Sequence, residues 1–219
     1  AYPASAFGTV AHIGPMARRA DDAFYMLQAM SGRDLRDWSQ GAGQLAPLAL
    51  VDRILSGARI GYWTTPPCGK VDGEVAAAVD AAVRALEGLG ATIEPIDLPG
   101  DDLPEIFRRH WYSGAANRLS AVPADRHGMI DKGFLEVAAV GAAYSAPELV
   151  AAQVKRAQFG AAMDQLLTDY DFVVSPGTAI PAFAAGEELP SDSGLRRWTE
   201  WAGFSFPINL SQQPACVVP

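Results

Sequence analysis

The sequence predicts an α/β fold, and two stretches of the chain carry that prediction. Residues 58–98 follow the order strand, helix, strand with short joints, which is the pattern of a βαβ unit. Residues 172–174 form a short apolar run that follows a long helical pattern and stops at Ser175, Pro176 and Gly177. This run is typical of a buried strand that opens into a loop.

The first half of the chain predicts one helix and then the βαβ unit. Apolar residues recur at helical spacing over 21–30. The βαβ unit has strands at 58–63 and 91–98, and Asp72 and Gly90 lie where its helix should begin and end. Pro95 cannot donate to a neighbouring strand, so the second strand is expected at a sheet edge or at a bulge. The apolar residues on one face of the intervening helix are Val75, Val79, Ala82, Val83, Leu86 and Leu89.

The second half begins with helices. Residues 101–141 predict helices broken at Gly114, Pro123 and Gly128. Ser145 and Glu148 have the spacing of a capping box, which predicts the start of a long helix that ends before the strand at Phe172.

The C-terminal residues predict strands. Phe204, Phe206, Ile208 and Leu210 alternate with other residues, and 215–218 form a continuous apolar run. Such a run is typical of a strand covered on both faces, and residues 1–10 offer no partner for it. We therefore expect an unpaired edge and an apolar patch in this chain alone, which favours a homo-oligomer.

Composition limits the classes of function. The 219 residues are 49% hydrophobic and carry a net charge of -8, which favours a globular protein and disfavours nucleic acid as a partner. No apolar run approaches the roughly 20 residues of a membrane span, and the first residues do not resemble a signal peptide. Cys68 and Cys216 match no metal or redox spacing. We expect a soluble, cytoplasmic protein with no membrane partner.

Ser175 and Thr178 are candidate ligand-binding residues. They follow the strand at 172–174, and the carboxyl ends of strands in an α/β sheet converge on the crevice where ligands bind. An ordinary strand-to-turn transition would have the same composition, so this alternative stays open.

No catalytic set is evident from the residues alone. The chain contains no nucleophile elbow, phosphate-binding loop, dinucleotide fingerprint or zinc motif, so no cofactor or metal is predicted. The three histidines, His12, His110 and His127, lack a neighbouring acid or cysteine in a recognisable spacing. We predict that each is structural or exposed.

Four segments resemble, in order, the enzymes of the amidase signature family. The first contains Gly14-Pro15-Met16-Ala17-Arg18, and the second begins at Arg59-Ile60-Gly61-Tyr62. The third covers 170–176 and the fourth covers 209–219. No single segment is specific to the family, but four segments in the family's order and at plausible spacings argue against a chance match.

The resemblance implies a fold with a mixed β-sheet core covered by helices. It also implies hydrolysis of a carboxylic amide without a cofactor, by a Ser-cis-Ser-Lys triad. The family's triad lies upstream of the Gly-Pro-Met-Ala-Arg segment, so the resemblance identifies residues 1–219 as the C-terminal portion of a single amidase domain. These residues would supply scaffold and one wall of a pocket for a small-molecule amide, with no catalytic residue of their own.

The resemblance also singles out three positions near the substrate. In the glutamine-hydrolysing A subunit of tRNA amidotransferases, an arginine on the long helix and an aspartate hold the amino-acid ends of glutamine. Arg156 matches the arginine, and Ala202 replaces the aspartate, which argues against glutamine. We predict that Arg156 faces the pocket or pairs with an acid such as Asp171. Gln212 replaces a family glycine, which questions a positive φ there.

Two other classes of function stay open. One is a non-catalytic homologue that kept the scaffold as a binding or interaction module. The other is an unrelated periplasmic-type binding protein, which is suggested by the βαβ unit and disfavoured by the lack of a signal peptide.

Overall fold

The computed structural model describes residues 5–37, 55–191 and 193–218, and it has the predicted α/β class. Its sheet consists of β1 (Arg59–Trp63), β2 (Thr92–Ile96) and β3 (Phe172–Val174), in the order β2-β1-β3. Both pairings are parallel. Over the described ranges the sheet is therefore parallel, without the antiparallel pair that a mixed sheet would contain.

The predicted βαβ unit is confirmed. Helix α2 (Gly73–Gly88) connects β1 to β2, and the Asp72 carboxylate caps it by accepting a hydrogen bond from the backbone N–H of Glu74. Gly90 follows the helix with φ of 97°, a conformation that glycine adopts without steric cost. Strand β2 pairs with β1 on one side and lies at the edge of the described sheet, as Pro95 predicted.

Most of the other helices pack on one another. The structure contains α1 (Ala20–Met30), α3 (Leu103–Ser120), α4 (Lys132–Ala142), α5 (Ala146–Leu166) and α6 (Ser205–Ser211). Shorter 3-10 helices cover Gly8–Val10, Ala124–Met129 and Trp198–Glu200. The capping box at the start of α5 is confirmed. In the described ranges no single helix is long and apolar enough to span a membrane, and α4 and α5 reach such a composition only as a pair that meets at a bend of 99°.

Gly114 does not break a helix, which corrects the sequence prediction. Helix α3 runs through this position, and a Cβ atom there would lie 2.8 Å from the carbonyl oxygen of Ala6. The glycine therefore allows the N-terminal segment to approach the helix closely. This contact is with a segment far away in the sequence, so the local sequence pattern does not reveal why position 114 needs a glycine.

The main core lies between α3, α5 and α6. Phe107 of α3 stacks on Phe206 of α6 with ring centroids 4.9 Å apart, and Phe159 and Met163 of α5 are buried in the same cluster. Ala202 is also buried there, at 4% exposure. This packing fixes α3 and α5 side by side, and it joins the C-terminal helix to both.

The two strands predicted near the C-terminus are wrong. Residues 205–211 form the helix α6, whose buried residues include Phe206 and Leu210, four positions apart on one face. Pro207 lies in its first turn, where a missing N–H costs no intrahelical bond. Residues 215–218 form no strand, and Val217 and Val218 are 79% and 78% exposed. Self-association through this apolar segment stays a prediction.

Candidate functional site

An open groove of about 780 Å³ is lined by residues of α3 and α5. Residues 6–9 and 210–212 close its ends. On each helix the lining residues recur at intervals of three and four, because one face of each helix is turned toward the groove. We call this cavity the polar groove, and its principal polar residues are His110, Asn117, Gln153, Arg156, Asp164 and Gln212.

Arg156 is the main cation of the polar groove, and it is half-buried. Its Nε donates to the Leu210 carbonyl oxygen at 2.8 Å, and its Nη2 donates to the Thr9 carbonyl oxygen at 2.8 Å. Both acceptors are uncharged. Burial lowers the pKa of Arg156, and no acid offsets that effect. Within the described part of the chain, Arg156 is therefore a cation without a counter-ion, and its Nη1 bonds to no protein acceptor.

The expected pairing of Arg156 with Asp171 does not occur. Asp171 instead accepts a hydrogen bond at 2.9 Å from the backbone N–H of Arg59, at the start of β1. Arg156 lines the polar groove instead. Whether it binds substrate there is a separate question.

The other two predicted site residues lie outside the polar groove. Ser175 and Thr178 follow β3, as the sequence suggested, but neither lines the groove with Arg156. The Ser175 hydroxyl donates to the Pro176 carbonyl oxygen at 3.1 Å, and the Thr178 hydroxyl donates to the Ile180 carbonyl oxygen at 3.0 Å. The structure therefore does not bring the three predicted residues into one cavity.

His110 is a groove residue that sequence reasoning missed. Its Nδ1 donates to the Ile106 carbonyl oxygen at 2.8 Å, while its Nε2 is buried and has no hydrogen-bond partner. Burial, and then the charge of Arg156, lower the pKa of His110, so the imidazole is neutral at pH 7. The polar spacing His110, Ser113, Asn117 on one helical face was the signal that could have found it.

Gln212 has a positive φ, although its replacement of a family glycine had put that conformation in doubt. Gln212 follows α6 with φ of 61°, in the left-handed region, and it lines the polar groove. The next residue, Gln213, donates from Nε2 to Asp164 at 2.6 Å and so ties this turn to α5. The turn therefore has the conformation that a glycine would adopt there, at a steric cost that glycine would avoid.

Replacing Gln212 by glycine is expected to raise the free energy of unfolding by about 0.5–1 kcal/mol. The gain is the steric cost of left-handed backbone in a residue with a Cβ, reduced by the greater chain entropy of glycine when unfolded. Urea titration of the wild type and the variant measures it. The control, Gln213→Gly, should lower stability because it removes the bond to Asp164. A less stable Gln212→Gly variant would contradict the argument.

The N-terminal and C-terminal segments that carry the family resemblance contact each other beside the polar groove. His12 Nδ1 donates to the side-chain oxygen of Asn209 at 2.9 Å, and Arg156 bonds to the carbonyl oxygens of Leu210, in the C-terminal segment, and of Thr9, which precedes the N-terminal one. Ala202, in the position of the amidotransferase aspartate, lies in the hydrophobic core with Phe206 and Leu210. Ala202 therefore lies outside the lining of the polar groove.

The described residues hold neither a serine-lysine pair nor a metal centre. Of their lysines, Lys155 pairs with Asp102 at 3.2 Å, and no serine hydroxyl is hydrogen-bonded to a lysine in the described ranges. No group of three potential metal ligands occurs there either. Burial raises the pKa of the Cys68 thiol to about 11, which keeps it protonated at pH 7.

Comparison with known proteins identifies relatives over most of the chain. The A subunit of the glutamyl-tRNA(Gln) amidotransferase of Bacillus cytotoxicus is 28% identical over an alignment that covers 94% of this chain and 47% of the relative. Its counterpart from Brevibacillus brevis is 28% identical over an alignment that covers 98% of this chain and 50% of the relative. This chain therefore spans about half the length of these curated relatives.

Solved structures show the same fold. A bacterial aryl acylamidase of the amidase signature family matches 90% of this chain and 44% of its own, with a TM-score of 0.74 and 20% identity. The A subunit of the Thermotoga maritima glutamyl-tRNA(Gln) amidotransferase matches 91% of this chain and 43% of its own, with a TM-score of 0.68 and 21% identity. The family model described as Amidase matches residues 4–219. This chain belongs to the amidase family.

Proposed function

We propose that residues 1–219 are the C-terminal portion of a single amidase domain that hydrolyses a carboxylic amide to an acid and an amine or ammonia. The observation that carries the proposal is the guanidinium of Arg156, which lies without a counter-ion among the described residues, in a groove of an amidase-family fold. A cation that is partly desolvated and not neutralised by the protein favours an anionic ligand.

In this proposal the chain supplies scaffold and one wall of the substrate pocket. The two carbonyl oxygens that accept from Arg156 hold its guanidinium in place. Its unbonded Nη1 is then available to a substrate carboxylate. The hydroxyls of Ser175 and Thr178 remain proposed contacts at the end of β3, since each holds only one local hydrogen bond. The nucleophile and its base would come from the family triad, and no cofactor is needed.

The proposed substrate is an amide that carries a carboxylate. The curated relatives described above are named for an amidotransferase, and one structural neighbour is an aryl acylamidase. Ala202 offers no acceptor for an ammonium group at the position where the amidotransferase has an aspartate. This favours a carboxylate-bearing amide without an α-ammonium group over glutamine.

We place the enzyme in the cytoplasm, with a small-molecule amide as its partner and with neither nucleic acid nor membrane. Cys68 and Cys216 are free thiols, as is usual in a reducing compartment. The net charge of -8 opposes binding to the phosphate backbone of nucleic acid.

In the full-length enzyme, Arg156→Ala is expected to raise KM for carboxylate-bearing amides about 10- to 100-fold, because a hydrogen bond to a charged group contributes about 1.5–3 kcal/mol. Neutral amides of the same size should change little. Steady-state kinetics on matched pairs of amides measure the difference. The control, Lys155→Ala, removes a neighbouring cation that pairs with Asp102 instead. Equal effects of Arg156→Ala on both amides would leave the arginine only a structural role.

The alternative of a non-catalytic binding module predicts the same groove but no turnover. The full-length protein separates the two, because the module would bind carboxylates at Arg156 and hydrolyse no amide. Hydrolysis by the full-length protein would exclude the module.

A further inference from the structure

His110 is held in one tautomer at the wall of the polar groove. The bond from its Nδ1 to the Ile106 carbonyl oxygen places the proton on Nδ1 and leaves Nε2 without one. Nε2 is screened from bulk water, and no protein donor reaches it in the described structure. A buried acceptor without a partner is unusual, because most such atoms are satisfied within the protein or by water.

Arg156 is the charged group that acts on His110. The groove walls formed by residues 6–9 and 210–212 contain no ionisable side chain. On α5 the charged lining residues are Arg156 and, eight positions further on, Asp164, which is bonded to Gln213. On α3 itself, Arg109 lies outside the groove lining and is paired with Glu105 and Glu148. His110 is therefore neutral next to an uncompensated positive charge.

An anion bound to Arg156 would reverse both conditions that keep His110 neutral. It would cancel the positive charge beside the imidazole, and, once the imidazole turns its buried Nε2 toward the groove, it would supply an acceptor for an N–H there. We propose that His110 is a second anion-binding residue of the polar groove, whose Nε2 takes up one proton when a carboxylate binds to Arg156. The inference rests on the anion site proposed above. It adds His110 to that site as a second residue, and it adds the uptake of a proton at Nε2 of His110.

The sign of the pH dependence follows from this coupling. In the free protein, burial and Arg156 hold the pKa of His110 below its ordinary value of 6.5. The bound carboxylate raises it, so the complex holds more protons than the free protein near neutral pH. Affinity for carboxylates therefore increases as the pH falls from 8 toward 6. The carboxylate itself stays ionised over this range, since such groups titrate near pH 4–5.

The test uses butyrate and its uncharged analogue butyramide as probes of the full-length protein. NMR titration at pH 6 and pH 8 should show butyrate binding about five- to tenfold more tightly at pH 6, with one histidine whose pKa rises on binding. Calorimetry in buffers of different ionisation enthalpy should show net proton uptake, of about 0.35–0.5 proton per butyrate averaged between pH 6 and pH 8. Butyramide should show neither effect.

Two variants test whether His110 is the residue that takes up the proton. In His110→Gln the affinity for butyrate should become independent of pH. His127→Gln is the matched control and should keep the dependence, because His127 bonds to the Val122 carbonyl oxygen and lies outside the groove. If His110→Gln does not fold, the histidine titration of the wild type decides the question.

Each remaining outcome counts against a specific claim. Butyrate binding of equal strength at both pH values, without proton uptake, overturns the role of His110 and leaves the anion site at Arg156 intact. A pH dependence that persists in His110→Gln has the same meaning. No butyrate binding at either pH overturns both this inference and the proposed carboxylate site.

Discussion

Gly141→Ala is expected to lower the free energy of unfolding by about 3 kcal/mol or more, the upper end for overpacked positions. A Cβ atom at this position of α4 would clash with the backbone carbonyl group of Tyr112 on α3. The obstructing atom belongs to a helix backbone, so no side-chain rotation relieves the clash. Either α3 and α4 must separate or the small cluster of Tyr112, Ala115, Val137 and Ala138 must open.

Urea denaturation measures this loss, and Gly88→Ala is the matched control. Gly88 also lies in a helix, but no atom approaches its Cβ position within 4 Å. Alanine there should be neutral or should stabilise by up to ~1 kcal/mol through helix propensity. A Gly141→Ala protein that unfolds at the wild-type urea concentration would show that α3 and α4 do not approach so closely in solution.

The 219 residues alone are expected to hydrolyse no amide above the rate without protein. A serine needs a neighbouring base to act as a nucleophile at neutral pH. The hydroxyls of Ser145, Ser175 and Ser211 donate to Glu148, Pro176 and Ile208, and no serine is paired with a lysine over the described ranges. Assays on a panel of aryl and aliphatic amides test this expectation. Turnover that a fluorophosphonate abolishes by labelling a serine of this chain would contradict it.

Elements whose signals are local could be predicted from the sequence. The βαβ unit could be predicted because the apolar face of its helix, the N-cap and the closing glycine all lie within 40 residues. The capping box likewise predicted the start of α5. Helix α6 was missed because four apolar residues at every second position in so short a segment fit a strand as well as a helix. The packing of α6 against α3 and α5, which decides between them, is not a local property.

Some residues of the candidate site could likewise be predicted from the sequence, and others could not. Arg156 was predicted through a family resemblance; it lines the polar groove, and its role in substrate binding stays a prediction. His110 was dismissed, because its importance depends on the approach of α5 and on a buried nitrogen without a partner. Ser175 and Thr178 were placed correctly after β3, but only the tertiary structure shows that they lie apart from the groove.

The most direct test of the account maps the reactive serine of the full-length protein. The gene product read through upstream of Ala1 would be treated with a fluorophosphonate, assayed for amide hydrolysis and examined by mass spectrometry. We expect hydrolysis that the reagent abolishes, with one labelled serine upstream of these 219 residues in a Gly/Ser-rich run. A labelled serine within the 219 residues, or a full-length protein that hydrolyses no amide, would contradict the proposal that this chain is the substrate-binding portion of an amidase.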